Sequence, residues 1–192
     1  MRVVTVSVLV PCVLAALLTG CAEQPRAPVA PPPPGVQAFN LTGRLSVRYE
    51  DKNFSGGLRW QHRDDGDELA FTSPLGQTIA QLSSGAGGAR LLTSENKLYR
   101  APSVEQLVRE TLGWELPLTG LSHWVLGRTM PGATVNAPER DADDRLTGFV
   151  QDAWRVHIAA YAPRERGSFP SRMQLSYGDL EIRLVIDALK AE

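Results

Sequence analysis

From Leu41 to Glu50 apolar and polar side chains alternate without a break. Leu41, Gly43, Leu45, Val47 and Tyr49 fall on one side, and Thr42, Arg44, Ser46, Arg48 and Glu50 on the other. A period of two gives a strand one oily and one wet face, and such a strand is stable only in an antiparallel sheet that buries the oily side. The pattern continues. Asp51-Lys52-Asn53 reads as a turn into a strand over 54–61, with Leu58 and Trp60 on one face and Arg59 and Gln61 on the other. Asp64-Asp65-Gly66-Asp67 is a hairpin signal, Leu69 and Phe71 resume the alternation, and Ser73-Pro74-Leu75-Gly76 punctuates again before a strand over 78–83. Gly85-Ala86-Gly87-Gly88 reads as a flexible turn, and short strands over 90–93 and 97–100 complete a meander.

The rhythm then changes. Ser103-Val104-Glu105-Gln106 fits a capping box, after which Val104, Leu107, Val108 and Leu112 recur at helical spacing up to Gly113. A second short helix is expected over 118–126, with Leu121, Trp124 and Val125 on one side and Gly127 as its stop. Strands return over 147–151, 154–159, 172–177 and 181–186. A curved sheet must cover its concave apolar face, and two amphipathic helices are what the chain offers for that purpose. The expected fold is therefore mainly β with a helical lid: an unclosed antiparallel β-barrel covered by short α-helices.

Ahead of this body lies a different kind of segment. Met1-Arg2 supplies a positive charge, residues 3–17 are almost wholly apolar, and small residues precede a cysteine in Leu18-Thr19-Gly20-Cys21. That order is the one found in secretory signals, and its end resembles the bacterial lipobox. The resemblance implies cleavage after Gly20 and acyl chains on Cys21; two or more such chains anchor a protein stably, where one does not. A transmembrane helix and an ordinary secretory signal are the alternatives, but spanning takes about 20 apolar residues, and this run is shorter and broken by Pro11. Ala22 after the cysteine, in place of a retaining aspartate, points to the outer membrane. Residues 22–38 carry Pro25, Pro28 and the run Pro31-Pro32-Pro33-Pro34, and read as an extended tether. The expected organisation is a lipoprotein signal peptide over 1–20, a lipidated Cys21 with its tether over 21–38, and a binding domain over 39–192 whose body faces the periplasm.

Composition narrows the chemistry. Cys12 and Cys21 are the only cysteines, so the body has no thiol for a disulfide, a thiolate metal site or a nucleophile. A net charge of −1 leaves no basic field for nucleic acid. His62, His123 and His157 lie on different elements without ligand spacing, and no glycine-rich loop joins a strand to a helix. Asp141-Ala142-Asp143-Asp144 lacks the ligand spacing of a calcium loop and reads as a solvated turn. No enzyme, metal or cofactor is expected. Trp60, Trp114, Trp124, Trp154, Phe71, Phe149, Tyr99 and Tyr161 form a generous aromatic set, either as ordinary core or around an apolar pocket for a chain-like ligand.

Several segments resemble the LolB family of outer-membrane lipoprotein receptors. They are Phe39-Asn40-Leu41-Thr42-Gly43-Arg44-Leu45-Ser46-Val47, Gly57-Leu58-Arg59-Trp60-Gln61, Ser73-Pro74-Leu75-Gly76-Gln77-Thr78 and Leu112-Gly113-Trp114-Glu115-Leu116-Pro117-Leu118, followed by Leu121, Trp124, Gly127, Gln151 and Trp154. The resemblance implies an unclosed barrel with a helical lid. It also implies a role in accepting lipoproteins from the periplasmic carrier LolA and inserting them into the outer membrane without ATP. In that family the leucine of the Pro-Leu-Gly turn protrudes and is needed for delivery, which assigns Pro74, Leu75 and Gly76 to a membrane-insertion loop. Leu45, Val47, Trp60, Phe71, Leu107, Trp124, Phe149 and Trp154 are the expected walls of an acyl-binding cavity. The expected partners are LolA, the acyl chains of lipoprotein cargo and outer-membrane lipid, and the body is expected to be a monomer. Leu189 departs from the family, which often has a tryptophan there. The alternative function is a filled, non-catalytic adapter or a lipopolysaccharide-binding subunit of an assembly machine.

Overall fold

The computed structural model describes residues 38–163 and 168–192; Cys21, the signal peptide and all of the tether but Ala38 lie outside the described residues. An antiparallel meander opens the body: β1 (Phe39–Tyr49), β2 (Lys52–Arg63), β3 (Gly66–Thr72), β4 (Thr78–Gly85), β5 (Gly88–Thr93) and β6 (Leu98–Ala101). Two helices follow, α1 (Val104–Leu112) and α2 (Leu118–Trp124). The chain ends in β7 (Val135–Arg140), β8 (Leu146–Gln151), β9 (Trp154–Tyr161), β10 (Pro170–Tyr177) and β11 (Leu180–Ala191). All eleven strands form one sheet in the order β6-β5-β4-β3-β2-β1-β11-β10-β9-β8-β7, so the last strand closes onto the first while β6 and β7 remain edges. The expected unclosed barrel is the observed architecture.

Register explains how one face becomes oily across so many strands. Trp60 lies abreast of Leu41 and Leu69, and the row continues through Leu82 and Leu91. A second row runs from Val47 through Ile182, Leu175 and Val156 to Phe149. Every member of both rows is buried. A slip of one residue in any strand would turn its whole apolar set to water, so the alternation specifies the pairing. At Gly43 a register shift lets β1 bend, and only glycine fits there, since a Cβ would stand 2.2 Å from the Val185 carbonyl oxygen.

The helices lie where expected, with differences at their ends. Ser103 caps α1 by accepting from the Gln106 backbone N–H, and Gly113 ends it in the left-handed conformation at φ 84°. Only half of the capping box forms, because the Gln106 side chain donates to Glu110 one turn on, at 2.7 Å, rather than back to Ser103. Helix α2 stops at Trp124 instead of running on to 126. Strand β7 had no signal in the sequence: it carries Pro138, has Ala137 at φ 47° and is exposed after Val135, as an edge strand can be.

Beneath α2 the barrel is filled. Trp124 packs edge-on against Phe149 and at a tilt against Trp154, with ring centroids 6.2 and 6.4 Å apart. Gln151, fully buried, ties this corner together. Its Oε1 accepts from Trp124 Nε1 at 3.0 Å and from the Met130 N–H at 2.9 Å, while Nε2 donates to the carbonyls of Met130 and Ala133. Leucine at this position removes all four bonds and strands buried polar groups, each costing about 1–3 kcal/mol. Gln151→Leu is expected to lower unfolding free energy in urea by about 3 kcal/mol, whereas Gln77→Leu, in an exposed turn, changes it by less than about 0.5 kcal/mol.

Candidate functional site

Beneath α1 the barrel is not filled. A cavity of 280 Å3 lies between α1, the segment following it and the inner face of β1 to β5. Leu45 and Val47 of β1, Phe54 of β2, Phe71 of β3 and Ile79, Ala80 and Leu82 of β4 form its wall; Val108, Leu112, Trp114 and Leu116 form its roof. Its polar contributors are few: Lys52, Asn53 and Thr93, with Tyr49. Lys52 Nζ donates to the Leu112 carbonyl at 3.3 Å, joining the start of β2 to the last turn of α1. The cation also satisfies one of the orphan carbonyls of a helix C-terminus. Leu112 is 42% exposed although it lines the cavity, so the roof offers apolar surface both inward and to water.

The strand order shows where the cavity lies along the barrel. Its lining comes from the C-terminal half of β1, the end of β3 and the start of β4. The turn joining β3 to β4 is Ser73 to Gln77, so the cavity and Leu75 share one end of the barrel. That turn is stiff. The Ser73 N–H donates to the Gln77 carbonyl at 2.8 Å, the Gly76 N–H to the Ser73 carbonyl at 2.9 Å, and the Ser73 hydroxyl accepts from the Gln77 N–H. Proline at the second turn position presets φ, and Gly76 takes φ 83°, which a residue with a Cβ rarely adopts. Between them Leu75 is 89% exposed, the most exposed large apolar side chain among the described residues.

The expected wall residues divide. Leu45, Val47 and Phe71 line the cavity. Trp60 and Leu107 are buried away from its lining, the former held by Phe39 edge-on at 4.9 Å and by its Nε1 donating to Asp67 at 2.7 Å. Trp124, Phe149 and Trp154 belong to the packed corner under α2. All five are buried, but they meet side chains rather than space. Leu112, Phe54 and Ile79 also line the cavity without having been expected there, as does Trp114, which was expected in the aromatic set but not among the walls. Leu112-Gly113-Trp114 carried a usable signal, since a glycine-ended helix with a flanking apolar pair marks a helix end lying against something apolar.

The titratable groups take structural places. His62 Nδ1 shares Asp67 Oδ1 with the Trp60 indole at 2.7 Å. Burial first, and then the nearby His62 and Arg128, lower the pKa of His123. Asp141 caps its own turn by accepting from the N–H groups of Asp143 and Arg145, and bonding to the Arg145 side chain lowers its pKa. Among the described residues no cluster of His, Cys, Asp or Glu could hold a metal ion, and no helix is long and apolar enough to cross a membrane.

Ala80 faces the cavity from β4 and tolerates a larger side chain only by filling it. Ala80→Phe is expected to weaken binding of a fluorescent long-chain fatty acid at least tenfold while the denaturation midpoint is kept. Unchanged binding would move the acyl site elsewhere.

Residues 37–188 match the family model described as "Outer membrane lipoprotein LolB". The Outer-membrane lipoprotein LolB of Nitrosomonas europaea is 40% identical over 158 residues, covering 81% of this chain and 74% of the relative. That of Azoarcus sp. (strain BH72) is 40% identical over 177 residues, covering 92% and 91%. Two solved structures share the fold at much lower identity. A domain from Vibrio parahaemolyticus described as outer membrane lipoprotein-sorting has a TM-score of 0.50 at 10% identity, covering 82% of this chain and 86% of its own. A DUF1329 family protein from Desulfovibrio piger has a TM-score of 0.53 at 8% identity, with the same coverage. With the family model spanning nearly all of the described body and relatives at this identity over most of their length, the chain belongs to the LolB family.

Proposed function

We propose that this protein is an outer-membrane lipoprotein that takes acyl chains of other lipoproteins from the periplasmic carrier LolA into the cavity under α1 and releases them into the outer membrane. The observation that carries the reading is the pairing, at one end of the barrel, of an apolar cavity with a rigidly presented leucine. Family membership supports the lipoprotein-localisation role.

The driving force needs no nucleotide. Exposing an acyl chain to water costs about 0.8 kcal/mol per methylene, so chains move only between sheltered places. Transfer runs from carrier to receptor to bilayer if each successive site holds the chain more favourably. At 280 Å3 the cavity lies at the lower end of the range for ligand pockets, about 300–1,000 Å3. A long chain gains room where the roof yields at the last turn of α1, which one exposed Lys52 hydrogen bond joins to β2 while Val104, Leu107 and Val108 stay in the core. Leu75 enters the headgroup region first and brings the open cavity to the lipid.

Anchoring through Cys21 sets a length requirement. The body begins at Phe39, and β1 then runs its full eleven residues, roughly 36 Å, toward the end that carries Leu75. For Leu75 to touch the membrane that holds Cys21, residues 22–38 must reach back over that distance. At roughly 3.5 Å per residue their limit is roughly 60 Å, which suffices.

The test mixes LolA loaded with a labelled lipoprotein, the full-length lipidated protein in liposomes, and two variants. The wild type is expected to pass label into the bilayer. Leu75→Glu is expected to accept label but not deliver it. Deletion of residues 24–34 leaves a reach of roughly 20 Å and is expected to block delivery until a Gly/Ser segment of equal length is restored. If no label leaves the carrier, the receptor reading fails and the filled adapter takes its place; unimpaired delivery by Leu75→Glu would remove that residue from the mechanism.

A further inference from the structure

At one edge of the sheet, β6 pairs with β5 alone, and among the described residues no backbone hydrogen bond reaches its other side. On the outer face of this pair, Arg90 lies abreast of Arg100 and Leu92 abreast of Leu98. Like charges directly opposite each other on a sheet are destabilising. Among the described residues neither guanidinium has a carboxylate within 4.0 Å; the carboxylate on the same row, Glu68, is two strands from Arg90, roughly 10 Å away. Leu92 and Leu98 are 39% and 47% exposed, and they floor a shallow trough with Arg90 and Arg100. An open edge, two unneutralised cations and two wet leucines sit together without a partner among the described residues.

The geometry selects what could satisfy all three. Lipid headgroups would answer the charge alone. The Arg90 row also stands level with Glu68, four residues of strand or roughly 13 Å short of the turn that bears Leu75. That is beyond the screening length of about 8 Å at physiological ionic strength for a bilayer touched by Leu75. A second copy of β6 would add arginine to arginine. An extended polypeptide can bond to the edge and carry side chains of the needed kind on alternate positions.

We propose that β6 receives an extended segment of a partner protein by strand addition. The outward face of that segment bears an acidic residue abreast of Arg100 and, two positions away, an apolar residue abreast of Leu98. Its inward face meets Tyr99, which is 39% exposed. Arg90, Leu92, Leu98 and Arg100 lie on the outer face of the sheet, whereas the acyl cavity lies on its inner face under α1.

The test uses the full-length protein and three blocked nonapeptides of Val and Thr. One carries Glu and Leu two residues apart, one has Lys in place of Glu, and one places Glu and Leu on adjacent positions so that they face opposite ways. The first is expected to bind at least tenfold more tightly than either other, to weaken with added salt, and to slow amide exchange at Leu98–Ala101. The double variant Arg90→Ser/Arg100→Ser is expected to lose at least tenfold in affinity for it, and Ala80→Phe to lose nothing. Equal binding of the Lys peptide, protection in the cavity lining instead of β6, or no binding up to millimolar peptide would each overturn the proposal. So would phosphatidylglycerol vesicles that bind through Arg90 and Arg100, or dimerisation of the Arg90→Ser/Arg100→Ser variant, which would make the arginines guards of the edge.

Discussion

An unclosed sheet of eleven strands encloses more apolar surface than two helices of nine and seven residues can cover. Every other feature depends on that mismatch. Strand pairing is dictated by which residues face inward, and the inward rows run from β1 to β5 on one side and from β1 to β8 on the other. The helices then settle the interior unequally. Helix α2 brings a tryptophan into its corner and α1 brings none, so one half is dense and the other hollow.

The dense half has a polar pin. Gln151 is fully buried and meets one indole and three backbone groups, so the loop after α2 is tied to β8. Among the described residues the hollow half has no such fixture. Its roof is joined to β2 by a single exposed hydrogen bond from a flexible lysine, which exchanges readily with water. The polar pin and the hollow thus fall on opposite sides of one core, and the hollow side is the one that shares its end with Leu75. Under the proposed function, that division separates a frame that stays folded from a cover that gives way.

Much of this could be read from residue types. The alternation from Leu41 to Tyr49 announced β1, and Ser103 and Gly113 marked the two ends of α1, because short-range chemistry decides both. Ser73-Pro74-Leu75-Gly76 marked the turn between β3 and β4. The exposure of Leu75 came from the resemblance to a family, since the turn alone left open whether the leucine folds back onto the core. What could not be read was the difference between facing inward and facing empty space. Trp60 and Trp124 obey the same period as Leu45 and Val47, yet Phe39 and Asp67 occupy the space beside the first, and Phe149 with Gln151 the space beside the second. Neighbours of that sort come from strands distant in sequence, so periodicity carries no trace of them. Strand β7 escaped for a related reason: an exposed edge strand with a proline buries too little to leave a pattern.

The claim at the centre is that acyl chains occupy the hollow under α1 and leave the packed corner under α2 undisturbed. Methyl resonances of the protein, recorded with bound lipoprotein cargo that carries a nitroxide on its acyl chain, address it directly. The account predicts broadening of Leu45, Val47 and Ile79 with Leu121, Val125 and Ile158 left sharp. Broadening of the second group, or of neither, would contradict it.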